Sequence, residues 1–235
     1  MNSHHGSSVV VYGVVDGVVD GVVIGVVVGV VVGVVGGIAS GKSLVTRVLE
    51  ECGAKVISAD AIAHDVLREP EMIDLLVSAF GQTILSDAAP LTSQTIDRRK
   101  LGAMVFGPSE EKIKHRKRLE SIVHPRIRQI ARTELQTLKA TGQVDLIVLD
   151  APLLIEGGWL PYCDRVLFVD TPDATRQRLA MARGWSEQEW RVRESAQVSL
   201  EEKRKVATDI LSNDGTLIEL EQRVREFAKH CRGKP

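Results

Sequence analysis

Residues Gly36-Gly37-Ile38-Ala39-Ser40-Gly41-Lys42-Ser43 fit G-x-x-x-x-G-K-[ST], a spacing that wraps backbone N–H groups around phosphate oxygens. Such a loop leaves a strand and opens a helix whose positive end faces the anion. Lys42 would reach the outer phosphates and the Ser43 hydroxyl would hold Mg²⁺, so the chemistry this pattern points to is phosphoryl transfer from ATP. The residues expected against the nucleotide are Gly37, Ile38, Ala39, Ser40, Gly41, Lys42, Ser43 and Leu44.

Transfer to an alcohol also needs a carboxylate that orients the hydroxyl and takes its proton. Asp60 follows the apolar run Lys55–Ser58, at a strand end where such a base belongs; capping a helix over Ala61–Val66 is the competing use of the same residue. Asp150 ends the apolar run Val144–Leu149, where a carboxylate can hold Mg²⁺, or can serve as a turn residue before Pro152. Arginines at 176, 178, 183, 191 and 193 suit a mobile cover that excludes water and delivers cations to the migrating phosphoryl group. One continuous helix would not align Arg178, Arg183 and Arg193, whereas a break at Gly184 lets them converge. The plainer reading is a solvated helix laced by pairs with Glu187, Glu189 and Glu194. His124 and His64 are isolated histidines, a type more often structural than ligating.

These groups must be held by the elements around them. Val30–Val35 reads as a strand and Leu44–Glu50 as an amphipathic helix. Lys55–Ser58, Val144–Leu149, Arg165–Asp170 and Ile210–Leu211 read as further strands. From Ala61 to about Arg132 the chain reads as mostly helical, with breaks at Pro70, Gly81, Pro90, Gly107-Pro108 and Pro125. Charged helical sequence fills Asp173–Ala207, and Leu217–His230 forms a closing helix. Strands alternating with helices predict an α/β fold: a parallel sheet covered on both faces, with ligands at the carboxyl ends of its strands.

The 235 residues carry a formal net charge of −1, enough chain for a well-filled domain and no global field that favours nucleic acid or a membrane surface. Cys52, Cys163 and Cys231 form no C-x-x-C pair, which argues against a disulfide framework or a zinc site and fits a reducing cytoplasm. Met1–Ser8 lacks the basic start of a secretory signal. Glycines at 13, 17, 21, 25, 29 and 33 mark a tandem Gly/Val repeat, and residues 21–41 carry no charge. No membrane span is expected there, because the end of the run is needed as strand and phosphate loop, and Val and Gly are poor helix formers. Residues 1–28 read as a low-complexity extension without function, and residues 29–235 as the working domain.

Taken together, these residues resemble the dephospho-CoA kinase family over about residues 30 to 230. The loop is similar to the family's GGIGSGKS. Ser58-Ala59-Asp60-Ala61-Ile62-Ala63-His64 is similar to its D-A-D-x-I-A-H segment, whose second Asp, taken as the base, falls on Asp60. Asp97-Arg98 with Leu101, Val105 and Phe106 resembles D-R-x-x-L-x-x-x-V-F, and His124-Pro125 resembles the H-P pair. Asp150 through Glu156 resembles D-x-P-L-L-F-E, Arg193 through Gln197 R-x-x-x-Q, and Asn213-Asp214-Gly215 N-x-G.

The resemblance implies a three-layer α/β/α P-loop kinase with an inserted helical acceptor region over about 64–125 and a lid over about 171–205. The implied reaction moves the γ-phosphate of MgATP to the ribose 3′-hydroxyl of dephospho-CoA in the cytoplasm, by a monomer or weak homo-oligomer. Asp60, Lys42 and Arg183 would be catalytic; Asp60, Arg98, His124 and Glu156 would meet the acceptor. Arg178, Arg183 and Arg193 would serve the lid, and Ser43 and Asp150 the Mg²⁺.

Several positions depart from the family pattern. Ala39 replaces a glycine, which strains the loop if that position needs a positive φ. Leu44 replaces a threonine whose hydroxyl could reach the α-phosphate, Ser58 replaces the first Asp of D-A-D, and Thr208 replaces the Asp of an A-D pair. A kinase of another small molecule, a nucleoside monophosphate or a sugar, is the alternative, and the H-P and P-L-L-x-E segments speak against it. A GTPase switch would need N-K-x-D, yet neither Asn2 nor Asn213 precedes a lysine. A non-catalytic nucleotide-binding module sits poorly with intact Lys42, Ser43, Asp60 and Asp150. Deleting residues 2–27 is expected to leave catalysis intact and to raise solubility, checked by specific activity and by the soluble fraction after expression.

Overall fold

The structure, a computed structural model, describes residues 29–87, 94–151 and 153–232. The expected extension over 1–28, the break at Pro90 and the turn at Pro152 lie outside the described residues. The described part forms two compact units.

The first unit comprises described residues 29–57, 135–149 and 153–232. It is built on a sheet in the order β2 (Lys55–Ser58), β3 (Leu146–Asp150), β1 (Val30–Gly36), β4 (Arg165–Asp170), β5 (Asp209–Ser212). Neighbours run parallel, with Val31 opposite Ile147, Gly33 opposite Val166, and Leu167 opposite Asp209. The apolar runs are continuous because the central strands are buried on both faces. Strand alternation sends Val32, Val34, Val148, Leu167, Val169 and Leu211 to one face. There they meet Val45, Val48 and Leu49 of α1 (Lys42–Glu51) and Leu220 and Val224 of α9 (Leu217–Arg232). On the opposite face the Arg204 guanidinium of α8 (Leu200–Val206) lies 5.2 Å from the centre of the Phe168 ring. The expected three-layer arrangement is therefore present.

The last repeat glycine has a packing reason. A Cβ at Gly33 would stand 2.7 Å from both Leu154 Cδ1 and Cys163 Sγ, so the chain covering this face leaves no room for a side chain. The strand β1 also accounts for the end of the uncharged run, and among the described residues no helix is long and apolar enough to cross a membrane.

The second unit comprises described residues 58–87, 94–134 and 150–151. It carries α2 (Ala59–Val66), α3 (Pro70–Phe80), α4 (Arg98–Val105) and the greater part of α5 (Glu110–Thr141). Ala59, Ile62, Val66, Met72, Ile73, Leu76, Phe80, Leu101 and Val105 are its buried apolar residues on α2 to α4.

One expectation about element boundaries needs correction. Pro125 does not break the chain: α5 runs through it from Glu110 to Thr141. Proline forfeits one helical hydrogen bond, but Ile127 and Ala131 beyond it are buried, and Arg126 makes a two-pronged ion pair with Glu69 at 2.8 and 2.9 Å. The charged helical stretch Asp173–Ala207 comprises three helices: α6 (Asp173–Ala182), α7 (Glu187–Ser195) and α8. Gly184, at φ 84°, marks the expected break. Ser186 and Ser199 then start α7 and α8 as reciprocal caps with Glu189 and Glu202, an S-x-x-E spacing visible in the chain.

Replacing Gly33 with valine is expected to overpack the sheet against Leu154 and Cys163 and cost about 1–3 kcal/mol. The urea midpoint of the variant against the parent chain measures it.

Candidate active site

In the first unit, β1 ends at Gly36 and the phosphate loop turns into α1 at Gly41. Gly41 is left-handed and no side chain caps α1, so the orphan N–H groups of its first turn are not taken by a side-chain cap. The carbonyls of Gly36, Gly37 and Ser40, by contrast, are occupied. Lys42 Nζ donates to the carbonyls of Gly36 at 3.2 Å and Gly37 at 2.8 Å. The Gly36 carbonyl also accepts from Lys203 Nζ at 3.3 Å. The Ser40 carbonyl accepts from Thr171 Oγ1 at 2.8 Å and from Asn213 Nδ2 at 3.0 Å. Ser40 Oγ is buried without a hydrogen-bond partner.

Ala39 takes φ 61°, and is the one non-glycine residue with positive φ among the described residues. The strain that a side chain brings here is therefore present, at roughly 1–2 kcal/mol for a left-handed L-residue.

Helices α6 to α8 supply the charges behind the loop. Arg176 is only 2% exposed. It donates to Asp173 and Glu194, and its guanidinium carbon lies 5.3 Å from the Trp190 ring centre. Arg191 pairs with Glu187 at 2.8 Å. The plainer reading, a solvated helix laced by ion pairs, describes Arg191; Arg176 pairs with Glu194 as that reading has it but is buried rather than solvated. Arg178, Arg183 and Arg193 are exposed, Arg193 with its guanidinium 4.5 Å above the Trp185 ring. Lys203, 4% exposed, also donates to Gln197 Oε1 at 2.7 Å. Burial lowers its pKa, which Glu156 and Glu194 partly restore and Arg176 depresses further. Glu156 accepts the Val198 N–H at 2.7 Å.

In the second unit, Asp60 lies in the first turn of α2. It is not the cap of that helix: Ser58 is, with its Oγ accepting the Ala61 N–H at 3.3 Å. This corrects the capping alternative for Asp60 and gives the serine that departs from D-A-D a structural task. Asp60 keeps solvent contact, yet partial desolvation holds its carboxyl above the ordinary value, and the Arg98 cation pulls it part of the way back. Asp97 caps α4 through the N–H groups of Arg99 and Lys100, which starts the helix at Arg98. His124, half-buried on α5, has its pKa lowered by burial, with Glu120 raising it and Arg128 lowering it. His64 is half-buried, with its Nε2 3.4 Å from Arg68 Nη2.

Asp60, Arg98, His124 and Asp150 thus belong to the second unit, and residues 37–44, Glu156 and the arginines of α6 and α7 to the first. Two buried participants escaped the sequence reading, Lys203 as a partner of the loop and Trp190 as its neighbour. Lys203 sits in a run of exposed charges on α8, with no signal of its own. Asp150 is the last residue of β3, at the carboxyl edge of the strand. Among the described residues no group of three His, Cys, Asp or Glu side chains stands together as a metal cage. The donor types at Ser43 and Asp150, one hydroxyl and one carboxylate, suit a hard cation that keeps water and phosphate as its other ligands.

A family model described as dephospho-CoA kinase matches residues 30–219. The chain belongs to the dephospho-CoA kinase family. Dephospho-CoA kinase from Geobacillus kaustophilus is 41% identical over 192 residues, which cover 81% of this chain and 90% of the relative. A crystal structure from Thermus thermophilus matches with a TM-score of 0.70 at 34% identity, covering 87% of this chain and 99% of its own. Dephospho-CoA kinase from Campylobacter jejuni matches with a TM-score of 0.63 at 28% identity, covering 85% and 95%. Membership of the dephospho-CoA kinase family carries the P-loop kinase fold across both units.

A raised pKa means that ionising Asp60 costs the folded state stability. The contribution is intact below the ordinary carboxylate pKa and is lost as pH rises through the folded value. Asp60→Asn is therefore expected to be more stable than the parent chain at neutral pH, with the gap closing in acid. Urea midpoints of both chains across that range test the sign.

Proposed function

We propose that this chain transfers the γ-phosphoryl group of MgATP to the ribose 3′-hydroxyl of dephospho-CoA, releasing ADP and coenzyme A. Membership of the dephospho-CoA kinase family, over the loop and nearly all that follows it, is the observation that carries this reading. In it, the 3′-hydroxyl oxygen bonds to the γ-phosphorus, the bond to the β,γ-bridging oxygen breaks, and the hydroxyl proton passes to the Asp60 carboxylate. An Asp60 with a raised pKa is better matched to that proton than an ordinary surface carboxylate.

The loop amides and Lys42 bind the phosphate tail, and Lys42 exchanges its loop-carbonyl bonds for phosphate oxygens. Ser43 and Asp150 would hold Mg²⁺, which supplies charge neutralisation on the phosphates. Arg98, His124 and Glu156 would orient the acceptor. Arg183, with Arg178 and Arg193, would bring cations over the γ-phosphoryl group and exclude water. The reaction is cytoplasmic, and the protein works as a monomer or weak homo-oligomer on small molecules alone.

With dephospho-CoA as acceptor, a coupled ADP-release assay should show turnover, and mass spectrometry should show one added phosphate on the product. Lys42→Ala is expected to cut turnover by roughly 10³-fold through lost stabilisation of the transferring group. Faster phosphorylation of a nucleoside monophosphate or a sugar under the same MgATP would overturn the acceptor assignment.

A further inference from the structure

We infer that Trp190, with Arg176 stacked upon it, is a platform that holds residues 37–39 of the phosphate loop in their anion-accepting conformation, so that Trp190 is a positioning residue for ATP. The inference rests on the nucleotide-binding half of the function proposed above.

Three observations converge on it. The Ala39 methyl, 6% exposed, is buried in a cluster with Trp190 and Ala180, and Ile38 and Trp185 pack alongside. Two residues earlier, Gly37 offers no side chain: a Cβ there would overlap Arg176 Nη1 and stand 3.1 Å from Arg176 Cδ. Arg176 cannot withdraw easily, because Asp173 of α6 and Glu194 of α7 both hold it against Trp190. The indole is itself 3% exposed and flanked by a second guanidinium, Arg191, at 5.5 Å. One aromatic ring and one cation thus brace the turn of the loop from behind.

The bracing matters because of the backbone at Ala39. A non-glycine residue stays left-handed only where its surroundings over-determine it. Glycine adopts φ 61° without that help. Taking away the ring should let Ala39 relax to the right-handed region and turn the neighbouring amide groups away from the phosphate position. Glycine at 39 should make the ring dispensable. A ring that merely stabilised the fold would show no such dependence on the residue at 39.

Calorimetric titration of the full chain with the magnesium complex of a non-hydrolysable ATP analogue tests this. Trp190→Leu is expected to bind about tenfold more weakly, and Trp190→Phe within about threefold of the parent. Measured against Ala39→Gly alone, whatever affinity that variant has, adding Trp190→Leu to it should cost no more than about twofold. In steady state the KM for ATP should follow the same pattern while the KM for dephospho-CoA stays put. Parent-like affinity of Trp190→Leu, or a tenfold loss that persists unrelieved in the Ala39→Gly background, overturns the platform. If Trp190→Leu fails to fold by circular dichroism, Trp190→Met takes its place in the two backgrounds, and equal losses overturn the platform. A parent chain that binds the analogue but phosphorylates no dephospho-CoA would sink the transfer reaction and leave the platform standing.

Discussion

A loop that offers its amides to an anion must have its carbonyls satisfied from the other side, since buried backbone acceptors are costly to leave bare. The first unit meets that constraint with side chains from several elements. Lys203 of α8 takes the Gly36 carbonyl and the Ser40 N–H that of Gly37, so both carbonyls keep a partner besides Lys42. Thr171 and Asn213 take that of Ser40. Thr171 directly follows β4 and Asn213 directly follows β5. Parallel pairing with Gly36 opposite Val169, and Asp170 opposite Ser212, is what brings these strand ends to the loop. The sheet is therefore more than a platform for the loop. Its register decides which polar residues hold the loop's back.

The second consequence is electrostatic. Bracing an anion site from behind with lysine and arginine puts cations in a poorly solvated place, where an unpaired charge would be costly. Glu194 and Asp173 hold Arg176, and Gln197 receives Lys203 with Glu156 and Glu194 close enough to favour its charge. Glu194 thus serves two cations at once. In the second unit the balance runs the other way: desolvation of Asp60 outweighs the attraction of Arg98, and a carboxyl that holds its proton more tightly than usual results. The capping serine at 58 completes the start of α2 and leaves the Asp60 carboxylate out of that task.

Much of this was legible in the chain. The strands were readable because β1, β3 and β4 are buried on both faces and so are written as continuous apolar runs. The loop was readable because G-x-x-x-x-G-K-S is a backbone device, with each glycine and the lysine at a set distance along the chain. The end of α6 at Gly184 was visible, and the starts of α7 and α8 were visible in Ser186-x-x-Glu189 and Ser199-x-x-Glu202, though they went unread as boundaries. Pro125 misled, because a local rule about helix breaking was overridden by burial of Ile127 and Ala131 and by the Arg126–Glu69 pair, contacts distant along the chain.

By itself, the order of residues determined the α/β alternation, the phosphate loop, the carboxylates that follow strands, and the family to which the chain belongs. All of these depend on neighbours within a few positions or on a spacing that survives unfolding. Only the tertiary structure decided which charges are spent. Arg176 and Arg193 look alike in sequence, yet one is buried under two carboxylates and the other lies exposed over an indole. Only packing put Ala39 at φ 61° against Trp190, and only the strand register brought Asn213 to Ser40. The reason is common to all three: desolvation and charge pairing depend on what lies within a few ångströms in space, whether the neighbour is three residues away along the chain, as Asp173 is from Arg176, or 173, as Asn213 is from Ser40.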